Sequence, residues 1–167
     1  PSPFTATAVL SQQVSCLGES DAVVNLTVNG GTTSYSYSWT GPSGYTSTSE
    51  DISNLSAGSY SVTVTDAKGC STTATVSVTT FTDVTNPVIN CPANIVQNND
   101  PGICGAIVNY ATPLGTDNCP GSVTSLTAGL STGSTFNVGN TTVSYLVTDM
   151  AGNSASCSFT VTVNDIQ

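Results

Sequence analysis

The feature that most constrains this sequence is the alternation of apolar and polar residues in short segments along the whole chain. A period of two places the apolar side chains on one face of a β-strand. Gly, Pro, Asn or Asp separates the segments, and no segment shows a helical period. The sequence therefore predicts an all-β protein of the sandwich type. The alternating sets are Val24, Leu26 and Val28; Tyr35, Tyr37 and Trp39; Tyr60, Val62 and Val64; Ala106, Val108 and Tyr110; Val143, Tyr145 and Val147; and Phe159, Val161 and Val163.

Four aromatic residues stand at inward positions of these segments and are predicted to lie in the core: Trp39, Tyr60, Tyr145 and Phe159. The alternative for Trp39, the only tryptophan, is an exposed platform for sugar stacking. Tyr45 follows Gly41, Pro42 and Gly44 and is the better candidate for an exposed aromatic. The segment 55–60 is similar to a tyrosine corner, in which the tyrosine hydroxyl bonds back to the preceding loop.

An internal repeat divides the chain into two halves. The segment 64–69, Val-Thr-Asp-Ala-Lys-Gly, returns 83 positions later as 147–152, Val-Thr-Asp-Met-Ala-Gly. Asp opens a tight turn and Gly supplies a positive φ, so each copy predicts the hairpin before a last strand. We expect two domains, residues 1–82 and 83–167, joined by a linker over 81–87.

Composition excludes several classes of function. The chain carries one basic residue, Lys68, against ten acidic ones, for a net charge of −9, and it has no histidine. Nucleic-acid binding depends on Lys and Arg, so we expect none. The absence of histidine and the polar settings of Glu19 and Glu50 argue against an enzyme. The longest apolar runs are too short to insert into a membrane.

The six cysteines indicate an oxidising compartment, since the chain has no Cys-x-x-Cys pair and no histidine to complete a zinc site. Cys16 and Cys70 are the only cysteines of the first half, and we expect them to pair. Four cysteines of the second half allow three pairings: Cys91, Cys104, Cys119 and Cys157. The alternative is a free, redox-active thiol.

The first half resembles the SprB-type repeat of bacterial surface adhesins, with a weaker likeness to PKD-type modules at 37–39. The matching segments, in order, are 14–16, Val-Ser-Cys; the paired glycines 30–31; 35–39, Tyr-Ser-Tyr-Ser-Trp; 55–60, Leu to Tyr; and 62–70, Val to Cys. The resemblance implies a surface protein of gliding Bacteroidota that leaves the cell by type IX secretion.

The second half resembles the HYR (hyalin repeat) domain. Its marks are 87–89, Pro-Val-Ile; 91–95, Cys-Pro-Ala-Asn-Ile; 101–104, Pro-Gly-Ile-Cys; 116–119, Thr-Asp-Asn-Cys; 133–136, Gly-Ser-Thr-Phe; 141–143, Thr-Thr-Val; and 149–157, Asp to Cys. The resemblance implies an immunoglobulin-like sandwich and extracellular adhesion without catalysis. It also implies the pairing of Cys91 with Cys157, which leaves Cys104 with Cys119.

Acidic residues in the linker and loops offer oxygen ligands that suit calcium. The candidates are Asp83, Asn86, Asp117, Asp149 and Asp165. None has the spacing of an EF-hand. Asp66 and Asp149 have a competing interpretation as turn formers, because Asp opens such turns without a metal.

The two ends of the sequence, 163–167 and 1–4, would form a second linker if they were joined, which predicts one period of a tandem array. An arbitrarily trimmed fragment is the alternative. We therefore expect a secreted structural or adhesive repeat whose partners are copies of itself, in tandem and side by side in a filament. The alternatives are a polysaccharide- or surface-binding module on such a stalk and an accessory domain of a secreted enzyme.

Overall fold

The computed structural model describes residues 3–166 and confirms the all-β prediction. The chain divides into two compact units that meet between Asp83 and Val84, one residue beyond the expected boundary. Apart from a single 3-10 turn at Pro42–Gly44, the regular elements of the described residues are strands. Among these residues no helix is long and apolar enough to cross a membrane.

The first unit is built from seven strands that follow the predicted alternation. They are β1 (Thr5–Gln12), β2 (Ala22–Asn29), β3 (Ser36–Thr40), β4 (Thr46–Ser47), β5 (Ile52–Leu55), β6 (Gly58–Thr65) and β7 (Ser71–Val78). One sheet has the order β1-β2-β5 and the other β4-β3-β6-β7, and all of these pairs are antiparallel. This is the two-layer arrangement that an alternating all-β sequence predicts.

The core of the first unit lies between its two sheets. Trp39 and Tyr60 are almost fully buried there, together with apolar residues of β2, β5 and β6. The Trp39 indole N–H donates to the carbonyl oxygen of Ser49 at 3.0 Å, so its polar atom is satisfied inside the core. Burial of Trp39 excludes the sugar platform.

The second unit has six strands. They are β8 (Ile95–Asn98), β9 (Gly105–Val108), β10 (Val123–Ala128), β11 (Ser134–Asn137), β12 (Gly139–Thr148) and β13 (Ser154–Asn164). The larger sheet has the order β10-β12-β13-β8, and β11 pairs with β9 in a smaller one. Tyr145 and Phe159 lie in the core of this unit, as predicted, and Phe136 is buried with them.

The repeated hexapeptides form equivalent turns. Asp66 lies in the β6–β7 turn and Asp149 in the β12–β13 turn, and both turns connect antiparallel neighbours with the pairs Thr65–Ser71 and Thr148–Ser154. Gly69 and Gly152 have φ values of 81° and 94°. The predicted hairpin before each last strand is therefore present, with glycine at the left-handed position.

Candidate functional site

The first and last strands of the second unit run in the same direction and are paired side by side. β8 pairs with β13 in parallel, from Ile95 with Val161 to Asn98 with Asn164. The other pairs in this sheet are antiparallel. If the two strands were not cross-linked, tension applied to the two ends of this unit would pull β8 and β13 past each other along their length and load their hydrogen bonds together.

A disulfide joins the segment before β8 to β13. Cys91 is bonded to Cys157, with Cα atoms 5.6 Å apart and a sequence separation of 66 residues. This is the pairing that the HYR resemblance implied. A loop of this length stabilises the fold by about 4 kcal/mol in the loop-entropy model. The bridge also gives tension a covalent path between the first and last segments of the unit.

In the first unit the chain also enters at one end and leaves at the opposite end. The Phe4 ring lies over Gly31 and stacks on Tyr35 with centroids 5.9 Å apart. The carbonyl oxygen of Thr32, the residue after Gly31, accepts a hydrogen bond from the backbone N–H of Ala67 in the β6–β7 turn. We call this the leading end. The trailing end carries the last residues of β1 and β7, where the Gln13 side chain donates to the Thr79 hydroxyl.

The second unit has the same two ends. Its leading end carries the bridge between Val88 and Thr116 and the β12–β13 turn. At its trailing end, Asn99 N–H donates to the Asn164 carbonyl oxygen, and the Ile166 N–H donates to Asn99 Oδ1. The sequence reasoning missed Asn99, although the turn signal Pro101-Gly102 two residues later marks the place.

The structure corrects the expected pairing of Cys16 with Cys70, because the two residues lie at opposite ends of the first unit. Cys16 lines a hollow at the trailing end with Ser56 and Thr80, whereas Cys70 closes the β6–β7 turn at the leading end. The length of β6, roughly 25 Å, separates them. That distance far exceeds the reach of a disulfide. Cys70 is free and exposed, while Cys16 is disulfide-bonded.

The expected pairing of Cys104 with Cys119 is wrong for the same reason. The Cys104 carbonyl oxygen accepts a hydrogen bond from Val138, directly before the start of β12, at the trailing end. Cys119 follows the bridged Thr116 at the leading end. About 30 Å of β12 lies between these ends. Cys104 is free and exposed, while Cys119 is disulfide-bonded.

Asp66 and Asp149 are turn formers. Asp66 accepts hydrogen bonds from the backbone N–H groups of Thr32, Lys68 and Cys70 at 2.9–3.0 Å. Asp149 accepts two from Asn153, through its backbone N–H and its side-chain amide, each at 2.8 Å. Burial by itself raises the pKa of both carboxyls, but these donors outweigh it and hold each pKa below the ordinary value of 3.8.

The other calcium candidates lie in different settings. Asp83 is buried at the end of the first unit, and Asn86 is exposed. Asp117 Oδ2 accepts a hydrogen bond from the Cys119 N–H, but its Oδ1 is buried and accepts none among the described residues. Asp165 lies at the trailing end of the second unit, far from Asp117 and Asp149 at the leading end. One ion therefore cannot bind all five candidates.

The aromatic side chains do not form an exposed platform. Every aromatic residue within 3–166 is buried or half-buried. Tyr45, expected to be exposed, packs edge-on against Tyr60 with centroids 5.3 Å apart. Tyr110 donates its hydroxyl to the Leu130 carbonyl oxygen at 2.6 Å, and burial, with the neighbouring Tyr145 hydroxyl, raises its pKa. These rings serve packing rather than the stacking of sugars.

A shallow apolar hollow of about 280 Å³ lies at the trailing end of the first unit. It is lined by Val14, Cys16, Leu17, Gly18, Glu19, Ser56, Ala57, Thr80 and Phe81. Glu19 is the only charged residue among them. The hollow lacks the converging polar groups that fix a small ligand or position a catalytic group.

Comparison with known families agrees with this architecture. The HYR domain family matches residues 82–163, and the SprB repeat family matches residues 9–44. The second unit thus has HYR-type sequence over most of its length, and part of the first unit has SprB-type sequence. Both families are adhesion and repeat modules of the extracellular space or cell surface. The two resemblances read from the sequence are thereby confirmed.

Two hyalins are similar to parts of this chain. Hyalin of Strongylocentrotus purpuratus is 41% identical over 85 residues, and hyalin of Lytechinus variegatus is 37% identical over 116 residues. These matches cover 50% and 67% of this chain, but only 7% and 22% of the hyalins. The chain therefore corresponds to a small part of these long relatives.

Among solved structures, the extracellular cadherin domains 1–5 of protocadherin gamma B2 match with a TM-score of 0.33 and 13% identity. That match covers 100% of this chain and 41% of the protocadherin chain. Domains 3–6 of the same protein match with a TM-score of 0.32 and 14% identity over 97% of this chain and 51% of theirs.

Proposed function

We propose that this chain is a non-catalytic structural and adhesive repeat of a secreted bacterial surface protein, stalk or filament, and that it works by carrying tension along its length. The Cys91–Cys157 bridge, together with the parallel pairing of β8 and β13, is the observation that carries this proposal. Tension between the ends of the second unit passes through this covalent link, which bypasses β8, and the β8–β13 pair bears it in shear once the bridge is reduced.

The surface composition supports the proposal. The outward positions of the strands are mostly Ser, Thr and Asn, and charged residues make up only 7% of the chain. The strand faces therefore carry few charges, and salt should have little effect on contacts made through those faces. A module exposed to changing salt outside the cell gains from such a surface.

The proposal of bacterial origin and type IX secretion rests on the SprB-type sequence of residues 9–44. Tandem copies of this unit would place the trailing end of one copy next to the leading end of the following copy. Copies in neighbouring chains would associate side by side through β10. That strand lies at the edge of its sheet, contains no charged residue and exposes Val123 and Leu126.

The decisive experiment is to determine the mass of the native parent protein and the peptide sequence that follows Gln167. A Pro-Ser-Pro-Phe-like segment followed by another copy of this sequence is the expected result. A continuation into an unrelated catalytic domain would overturn the proposal in favour of an enzyme accessory domain. Glycan-array binding by the isolated unit would favour the binding module instead.

A further inference from the structure

Two cysteines of this protein are left with free thiols although the chain forms disulfides elsewhere. Cys70 and Cys104 are both free and exposed, whereas Cys16, Cys91, Cys119 and Cys157 are disulfide-bonded. Exposed thiols in an oxidising compartment are reactive. A disulfide formed by either thiol would have to reach a cysteine outside its own unit, because the other cysteines of that unit are already bonded.

The places of the two thiols are complementary. Cys70 lies at the leading end of the first unit, where the backbone N–H of Asp66 donates to its carbonyl oxygen. Cys104 lies at the trailing end of the second unit, beside Val138. The chain thus carries one thiol where it enters its first unit and another where it leaves its second. Copies that follow one another head to tail bring these two ends together.

The surfaces around the two thiols also match in charge. Lys68, the only basic residue of the chain, is exposed two residues before Cys70. At the other end, Asp100 begins the turn that contains Cys104, and Asp165 is exposed nearby on the last described residues. The one positive charge therefore lies on the surface beside Cys70, with the buried Asp66 carboxylate beneath it, whereas Asp100 and Asp165 lie at the end that carries Cys104. Such a pattern favours a head-to-tail approach over two like ends meeting.

Apolar side chains complete both surfaces. Ile103, Val138 and Ile166 are exposed around Cys104 at the trailing end. The half-buried Phe4 and Tyr35 stack at the leading end. Contact between these two groups would remove apolar surface from water around the thiols. Burial of this apolar surface would stabilise the contact between the two ends in addition to the attraction between their charges.

We propose that Cys104 of one copy forms a disulfide with Cys70 of the next copy and so staples successive copies end to end. The inference rests on the proposed end-to-end function and adds the covalent bond and its two residues. The partner is a second copy of this unit, whether it follows in the same polypeptide or belongs to another chain.

The bond is an oxidation that needs an acceptor of two electrons. The Cys70 and Cys104 thiols each lose one proton, one Sγ–Sγ bond forms, and two electrons leave the pair. A disulfide oxidant, such as oxidised glutathione or the disulfide of an oxidoreductase, accepts them and becomes two thiols. Thiol–disulfide exchange through a mixed disulfide carries out both steps.

The test uses the complete 167-residue chain as wild type and as the variants Cys70→Ser and Cys104→Ser. Each is incubated with oxidised and reduced glutathione, separated on a non-reducing gel and digested for peptide mass mapping. Wild type is expected to form a ladder of dimers, trimers and longer species. Each variant alone should stay largely monomeric, and an equimolar mixture of the two should give a heterodimer with a Cys70–Cys104 peptide.

Four outcomes would overturn the inference. The mixture could give a purely statistical distribution of homodimers and heterodimers, which would show no preference between ends. Wild type could remain monomeric with Cys70 bonded to Cys104 of the same chain. It could also show Cys70 bonded to Cys16, or glutathione adducts alone. Thermal unfolding of each variant, compared with wild type, verifies that the units remain folded.

The charge match is tested by adding Lys68→Glu to the Cys104→Ser variant. Heterodimer formation at low salt is expected to slow, and the difference should shrink at high salt because exposed charges are screened there. An unchanged rate at low salt would contradict the contribution of Lys68. Lys68→Gln is the control that removes the charge without reversing it, and its rate should be intermediate.

The two proposals fail separately. Random thiol pairing together with a repeating parent sequence would overturn the staple and leave the structural repeat intact. A parent that continues into an unrelated domain would overturn the tandem repeat, whatever the mixing experiment gives.

Discussion

The Tyr60 hydroxyl donates a hydrogen bond to the carbonyl oxygen of Ser56, four residues earlier, over 2.9 Å. The ring is almost fully buried, so the bond ties the loop between β5 and β6 to the core. This is the tyrosine corner that the segment 55–60 predicted. It fixes the start of β6 at the trailing end of the first unit.

Tyr60→Phe removes this hydrogen bond and keeps the ring. We expect the free energy of unfolding of the first unit to fall by about 1 kcal/mol, because the Ser56 carbonyl loses its partner. Urea unfolding followed by Trp39 fluorescence measures it. Tyr45→Phe is the matched control, since no described hydrogen bond involves its hydroxyl, and it should leave stability unchanged. Equal losses in both variants would contradict the role of the corner.

Stability should fall in acid as Asp66 is protonated. Its pKa in the folded protein lies below the ordinary value of 3.8, so its contribution is fully present above that value and is lost as the pH falls below it. Asp66→Asn should be less stable than wild type at pH 7, and the difference should shrink as the pH falls toward 2.

Urea unfolding between pH 7 and pH 2 tests this expectation. Glu19→Gln, which removes an exposed carboxylate at the other end of the unit, is the control and should keep the acid-side loss of wild type. A difference between wild type and Asp66→Asn that stays constant over this range would contradict the prediction.

Reduction of the Cys91–Cys157 bridge should lengthen the protein under force. The bridge prevents the chain between Cys91 and Cys157, a sequence separation of 66 residues, from being extended. Reduction should therefore add about 220 Å to the contour length released when the second unit unfolds. Single-molecule pulling in the presence and absence of reductant measures the increment. The double variant Cys91→Ala/Cys157→Ala should show the long increment without reductant. An increment that reductant does not change would contradict the proposed path of tension.

The calcium prediction for the loop acids can be tested at Asp117. Its Oδ1 is buried without a hydrogen-bond donor among the described residues, so a cation there would neutralise an otherwise uncompensated oxygen. Calcium is expected to raise the Tm of wild type relative to EDTA, and Asp117→Asn should remove that effect. Asp165→Asn, at the other end of the unit, should keep it. A wild-type Tm indifferent to calcium would contradict the prediction.

Lateral association through β10 should be sensitive to charge. Val123→Lys places a charge on the exposed edge strand, where lysine opposes pairing with another strand. We expect it to reduce the side-by-side assembly of concentrated protein, measured by light scattering and electron microscopy. Met150→Lys, at an exposed position of the β12–β13 turn and outside any strand, is the control. Equal loss in both variants would indicate a general solubility effect.

The period-two pattern predicted the strands and the core because local alternation decides which face of a strand is buried. Trp39, Tyr60 and Tyr145 are all buried, as their positions in the alternating pattern predict. The Asp–Gly turns were also predictable, since Asp66 and Gly69 supply the local bonds and backbone angle of the turn themselves. The burial of Tyr45 was not predictable from the local pattern, because it depends on packing against the ring of Tyr60.

Cysteine pairing was predicted only in part. Cys91 and Cys157 followed from the resemblance to a known family. Cys16 and Cys70 each precede a strand, but the sequence does not tell at which end of the sandwich each of these strands begins. That choice depends on the order in which the strands are arranged, which a single sequence does not reveal.

Lys68 also determines where trypsin can cleave this sequence. The only peptide bond that trypsin could cut lies within the β6–β7 turn, where the Asp66 carboxylate holds the backbone N–H groups of Lys68 and Cys70. A folded unit should resist cleavage there, because the turn must open before the chain can enter a protease. Within residues 1–167 trypsin has no second cleavage site, so unfolding exposes one bond and no more. Peptide mapping of this segment therefore needs a protease of another specificity, such as one that cleaves at aromatic residues.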